Sequence, residues 1–205
     1  MDGDDAMGKR IILASGSPRR RELLTQIGVS FEVHKAEGEE KLTTDVPQEV
    51  VRELSMQKAR EVAGKVSGDL YIGADTVVAV DGQILGKPKD EEDAVRMLRL
   101  LQGRAHDVAT GVAVIFTDGQ EPLSFAETTR VHVFPMTEEE ICAYVQSGEP
   151  MDKAGAYGIQ GLFAAYVSGI EGDYNNVVGL PVGRLYQELR VRGIDLRECY
   201  QEEQE

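Results

Sequence analysis

No stretch of this 205-residue chain stays apolar for more than six residues, at 162–167, so nothing in it is long enough to span a bilayer. Cysteine is scarce. The two present, Cys142 and Cys199, form no metal or redox spacing and read as free thiols in a reducing compartment. Positive charge is in the minority: 22 Lys and Arg stand against 36 Asp and Glu, a net charge of −14. Such a surface repels nucleic acid polymers and anionic lipid at long range. It leaves room for a small anionic ligand, which needs only a local cluster of positive charge. The opening MDGDDAMGKR lacks the apolar core of a secretory or transit peptide. We expect a disordered leader over 1–10, a frayed tail over 201–205 and a cytoplasmic location. The chain has no internal repeat, low-complexity segment or obvious linker.

What is there is ordinary globular composition, 41% hydrophobic and 28% charged. A chain of this length buries roughly 70% of its unfolded surface and needs no staples. One domain over 11–200 is expected. Residues 11–14 suit a buried strand, followed by Ser15-Gly16-Ser17-Pro18, where Ser17 can cap a helix and Pro18 suits its first position. Residues 31–34 alternate like a strand, and 47–62 are mainly helical. Residues 71–80 and 83–85 read as a hairpin around Asp81-Gly82. Asp90 opens a helix closed by Gly103. Two long strands, 108–116 and 128–134, surround Asp118-Gly119. Thr137 and Glu140 form a capping box for a helix that ends at Gly148. A Gly-rich loop at 149–161 precedes a strand expected at 162–167, a turn at 175–181 and a last helix over 181–192. Hairpins among helices predict a mixed α/β sheet.

Chemistry concentrates in a few places. Ser15 to Arg20 puts a Gly-containing turn and a helix N-terminus after a strand, where free amides and the helix dipole favour an anion. Arg19 and Arg20 oppose that dipole unless a phosphate sits between them and the amides. Neither a GxxxxGK[ST] loop nor a GxGxxG fingerprint is present. Asp75 lies inside an apolar strand, a costly position unless it is paired, protonated or metal-bound. Lys58 and Lys87 are candidates to neutralise it, though each alone reads as a surface residue. Glu37, Glu39 and Glu40 are an acidic loop that could complete a magnesium site with Asp75. Among the histidines, which share no zinc spacing, His106 stands out but reads as structural. In the loop at 149–161, Gln160 offers the amide donor and acceptor that a pyrimidine edge requires.

These segments together resemble the Maf family. The likeness is carried by LASGSPRR (13–20), GEEKL (38–42), QKA (57–59), IGADTVV (72–78), LGKP (85–88), the stretch 103–111, EPMDKAGAYGIQG (149–161) and NVVGLP (176–181), in the family's order. The resemblance implies a house-cleaning nucleoside triphosphate pyrophosphatase that uses Mg²⁺ or Mn²⁺ and releases a nucleoside monophosphate and pyrophosphate. It implies a mixed, elongated central sheet with flanking helices and a cleft between two lobes, related to the inosine triphosphate pyrophosphatases. It also implies Asp75 as proton acceptor, with Arg19, Thr76 and Gln160 influencing substrate choice. Arg20, Glu39, Lys58 and Lys87 become the remaining polar cleft residues. We expect Asp75, Glu39, Lys58 and Lys87 as catalytic, Ser15, Arg19, Arg20, Thr76 and Gln160 as substrate-binding, and Asp75 and Glu39 as metal ligands. The DKAGAYGIQG loop is similar to the branch acting on dTTP and UTP. A nucleotide-binding regulator of division or growth, acting through a protein partner, is the alternative. The expected partner is a nucleoside triphosphate, with no nucleic acid polymer, no membrane and a homodimer left open.

Overall fold

The computed structural model describes residues 8–197. Cys199, the tail and the first seven residues of the expected leader lie outside the described residues. In chain order the elements are β1 (Ile11–Leu13), α1 (Pro18–Gln26), β2 (Glu32–Val33), α2 (Pro47–Ala63), β3 (Leu70–Val80), β4 (Gln83–Leu85) and α3 (Glu91–Leu101). They continue with β5 (Ala105–Phe116), β6 (Leu123–Val133), α4 (Glu138–Gln146), β7 (Val167–Glu171), α5 (Tyr174–Val178) and α6 (Val182–Val191). The strands form one sheet in the order β2-β1-β3-β5-β6-β7, with β4 on one end of β3. β1 runs parallel to β2 and β3, and the other pairings are antiparallel. This is the mixed sheet that the hairpins among helices predict, in the elongated form that the family resemblance implies. Its central strands β3, β5 and β6 run 11, 12 and 11 residues.

Strand periodicity divides the core. Leu70, Ile72, Ala74, Val78 and Val80 of β3 enter the larger core, together with Leu23 and Leu24 of α1, Leu98 and Leu101 of α3 and Leu185 and Leu189 of α6. Tyr71 and Val77 point the other way, toward Val50, Val51, Leu54 and Val62 of α2. Helix α2 sits very close to the sheet because two strand positions lack side chains. A Cβ added at Gly73 would lie 2.1 Å from the Ser55 carbonyl oxygen, and one at Gly111 would lie 2.1 Å from that of Val51.

The register of β3 creates the cleft. One edge of β3 is filled by β5. On the other edge, β1 pairs with residues 70–72 and β4 with residues 78–80. Between them, residues 73–77 have no strand partner on that edge among the described residues. This break lies beyond the carboxyl end of β1, where open sheets present their ligand crevices.

Three local expectations change. The stretch 162–167 is a 3₁₀ helix over Leu162–Tyr166, and β7 starts only at Val167. Phe163 and Tyr166 turn inward three residues apart while Leu162, Ala164 and Ala165 are exposed, a spacing that suits 3₁₀ geometry and not strand alternation. The turn expected at 175–181 contains α5, capped by the Asp173 side chain on the amide of Asn175. Ser17 precedes α1, but its side chain makes no cap bond. Among the described residues no helix is long and apolar enough to cross a membrane.

Candidate active site

The break in β3 opens into a cleft of about 400 Å³, a volume suited to a nucleotide-sized ligand. Asp75 and Thr76, at the centre of the unpaired stretch, are adjacent and therefore face opposite sides of the sheet. Each begins a different wall.

On the α2 side, the Lys58 ammonium bonds Asp75 Oδ1 and also lies 3.0 Å from Glu40 Oε1. Asp75 is largely withdrawn from solvent, with 14% of its side chain exposed, whereas Glu40 is 55% exposed. The loop bearing Glu40 is strapped along α2 by side chains four residues apart. Glu61 accepts from the amides of Glu37 (3.0 Å) and Gly38 (2.9 Å), Gln57 from Lys41 (3.0 Å) and Glu53 from Thr43 (2.9 Å). Between these straps the chain delivers Glu40 to Lys58. Glu39, the expected acidic partner, is not among the cleft-lining residues, and Glu40 is.

On the other wall, Arg20 donates from Nε to the Gly179 carbonyl (2.7 Å), from Nη1 to Ser15 Oγ (3.0 Å) and from Nη2 to Thr76 Oγ1 (3.1 Å). Burial pulls the Arg20 pKa down and the charge of Asp75 opposes that. Three of its five N–H groups are used here, so two remain for a ligand. Ser15, expected to bind substrate, accepts here from Arg20 and also from the Ser17 amide at 3.3 Å. With no side-chain cap on α1, the amides of its first turn are left for an anion.

The third side is the stretch 149–161. Tyr144 donates to Glu149 Oε1 (2.8 Å) and accepts from the Gly158 amide (3.2 Å), while Glu149 Oε2 accepts from Leu162 N (2.9 Å). The Gly155 amide bonds the Gly86 carbonyl (3.0 Å), which ties this loop to the segment carrying Lys87. Tyr157 is buried against Phe163, and its hydroxyl lies 2.7 Å from His106 Nε2. Burial pushes the Tyr157 pKa far up and lowers that of His106 to about 4, so both are neutral near pH 7. Gln160 is held exposed on the cleft wall by this frame. Arg19 Nη1 reaches across to Asp152 Oδ2 at 3.3 Å, and Lys153 Nζ bonds the same carboxylate at 2.7 Å.

The cleft thus gathers Arg19, Arg20, Lys58, Asp75, Thr76, Lys87 and Gln160 from the sequence reading, and leaves Ser15 and Glu39 outside its lining. It adds Glu40, Asp152 and Lys153. Five cationic and three acidic side chains give it a local charge of +2 in a chain of net −14. Glu40 belongs to the acidic loop before α2, and Asp152 and Lys153 are adjacent in the Gly-rich loop at 149–161. Only the straps along α2 and the fold of the loop select them.

Among the described residues no group of three His, Cys, Asp or Glu side chains could cage a metal ion. Asp75 and Glu40, both within reach of Lys58, fit the other arrangement, in which a hard cation takes one or two carboxylates and completes its shell from substrate phosphates and water.

The sequence pattern of the family described as Maf-like protein matches residues 10–192. A dTTP/UTP pyrophosphatase of Agathobacter rectalis is 57% identical, covering 91% of this chain and 99% of its own. Similar proteins of the same name occur in Carboxydothermus hydrogenoformans, at 53% identity over 90% of this chain and 99% of that one, and in Lachnoclostridium phytofermentans, at 51% over 91% and 97%. The structure of the Staphylococcus aureus Ham1 protein overlaps 61% of this chain and 72% of its own, at a TM-score of 0.46 and 18% identity.

Proposed function

Because this chain belongs to the Maf-like protein family, we propose that its cleft hydrolyses dTTP and UTP to the nucleoside monophosphate and pyrophosphate, a house-cleaning reaction of the nucleotide pool. The observation that carries the reading is the cationic cleft around a shielded carboxylate, Asp75, in a strongly acidic chain.

The triphosphate carries three to four negative charges. Arg19, Arg20, Lys87 and the first turn of α1 hold them, and the fixed N–H groups of Arg20 grip the phosphates alike in the bound substrate and during bond cleavage. Lys58 engages one oxygen of Asp75. The second oxygen accepts a proton from the attacking water, whose oxygen then bonds the α-phosphorus as the α–β bridging bond breaks. Asp75 and Glu40 would hold a divalent cation, Mg²⁺ or Mn²⁺, which would supply charge neutralisation on the phosphates and a more acidic water. Gln160 faces the base. A uracil or thymine edge offers a carbonyl, an N–H and a second carbonyl, which one amide matches directly; cytosine presents the reverse, an amino donor beside a bare ring nitrogen, which an amide fixed in that orientation does not match.

The test is product identification with purified protein and Mg²⁺. UMP and pyrophosphate should appear in equal amounts from UTP, dTMP and pyrophosphate from dTTP, and EDTA should stop both. Release of orthophosphate, or no turnover of any nucleoside triphosphate, would contradict the reading.

A further inference from the structure

One buried residue behind the cleft has no role in the chemistry above. Thr110 of β5 is fully buried, directly across the ladder from Thr76. Its Oγ1 lies 3.0 Å from the main-chain carbonyl of Asn176 in α5 and 2.8 Å from Thr76 Oγ1.

These distances determine the direction of every proton. A carbonyl oxygen only accepts, so Thr110 gives its single hydroxyl proton to Asn176. The contact between the two threonines then holds a proton only if Thr76 donates to Thr110. Thr76, its own proton spent, accepts from Arg20 Nη2 at 3.1 Å. Arg20 Nε meanwhile donates to the carbonyl of Gly179, at the other end of α5 from Asp173. The bonds close a circuit through α1, β3, β5 and α5: Arg20 to Thr76, Thr76 to Thr110, Thr110 to Asn176, and back from Gly179 to Arg20.

Asn176 is anchored in turn. Fully buried, it donates from Nδ2 to the Val108 carbonyl and to Thr129 Oγ1, each at 3.1 Å, and Thr129 donates to the Asp173 carbonyl at 2.9 Å. Reversing its amide would set Oδ1 against the Val108 carbonyl, acceptor against acceptor. The circuit therefore hangs from a fixed post.

We infer that Thr110 is a positioning residue for the pyrophosphatase reaction: it turns the Thr76 hydroxyl into an acceptor and so orients the Arg20 guanidinium, leaving Arg20's two unused N–H groups aimed at the substrate phosphates. Toward the cleft, Thr76 can accept a hydrogen bond and cannot donate one. This rests on the function proposed above.

The test is a double-mutant cycle on UTP hydrolysis. Thr110→Val keeps the shape and removes the hydroxyl. It should raise KM about tenfold while kcat stays within about threefold, because the lost interaction is ground-state binding. Thr110→Ser should restore KM to within about twofold of the parent. In a Thr76→Val background, Thr110→Val should change KM by less than about twofold, since its route of action is already cut. If Thr110→Val fails to fold, Thr110→Cys, of similar volume and with only a weak donor, takes its place in the cycle. An unchanged KM in Thr110→Val, an equal rise in both backgrounds or failure of Thr110→Ser to rescue would overturn the inference. The parent enzyme's turnover is unaffected by any of these outcomes, so a failed cycle leaves the pyrophosphatase reading standing. Absence of parent turnover removes that reading instead.

Discussion

Asp75 and Thr76 are neighbours in the chain and lie on opposite walls of one cleft, and the two walls are built differently. The α2 wall consists of charges in partial contact with solvent: one ammonium shared by two carboxylates, with the outer one, Glu40, on a strapped loop. The α1 and α5 wall consists of neutral hydroxyls and carbonyls around a single arginine, with Thr110, Thr129 and Asn176 fully buried. The first can exchange partners as a proton moves, because water and Lys58 stand by to compensate. The second cannot rearrange without stranding a buried donor or acceptor, at about 1–3 kcal/mol each. In the proposed function, chemistry belongs to the adaptable wall and substrate placement to the fixed one.

The largest effect should come from removing the charge on the adaptable wall. Asp75→Asn keeps the shape and should lower kcat for UTP at least about a hundredfold, as expected for loss of a general base. Its thermal stability should stay near that of the parent. Turnover above about a tenth of the parent's, a loss of under ~1.4 kcal/mol, would place the base elsewhere.

A second prediction probes the frame of the third side, where His106 meets Tyr157 of the loop at 149–161. Burial, with smaller contributions from the charges of His132 and Arg130, lowers the His106 pKa from 6.5 to about 4 in the folded protein. Between those values the unfolded chain binds more protons. Stability from this group is therefore complete above pH 6.5 and is lost as pH falls toward 4. The loss should be about 2–3 kcal/mol over that window. His106→Gln should flatten this part of the profile in denaturant melts taken at pH 7 and pH 5. An unchanged slope would mean that other groups carry the acid sensitivity.

The smallest effect concerns base choice. The parent should prefer UTP and dTTP over CTP by roughly ten- to a hundredfold in kcat/KM. Gln160→Ala should narrow that ratio while changing the reaction of the phosphates less. A ratio that does not move would assign the reading of the base to backbone groups of the same loop or to Thr76.

The elements were legible where one physical signal dominated: Pro18 and Pro47 starting helices, Asp81-Gly82 turning the hairpin, and Thr137 and Glu140 capping α4 with both reciprocal bonds in place. Legibility failed where tertiary packing decided. The apolar run at 162–167 is strand-like in composition, yet the cluster of Tyr144, Tyr157 and Tyr166 around Phe163 draws it into a 3₁₀ turn. The charged cleft residues could be named from their segments, because an aspartate in an apolar strand and arginines at a helix N-terminus are locally anomalous. Glu39 and Glu40 are locally equivalent, and only the straps from Glu53, Gln57 and Glu61 separate them. Thr110 carried no local signal at all, since a threonine in a strand is ordinary and its meaning lies in the register that sets it across from Thr76.

The division of labour between the walls is tested most directly by the affinity of a UTP analogue with a methylene bridge between its α- and β-phosphorus atoms, measured by calorimetry in EDTA, with no divalent cation to link Asp75 to the phosphates, on the parent and on Asp75→Asn. The account predicts Kd values within about threefold of each other, although turnover of UTP differs at least about a hundredfold. A Kd that weakens in step with turnover would contradict it, because Asp75 would then be holding the substrate and the two walls would not have separate tasks.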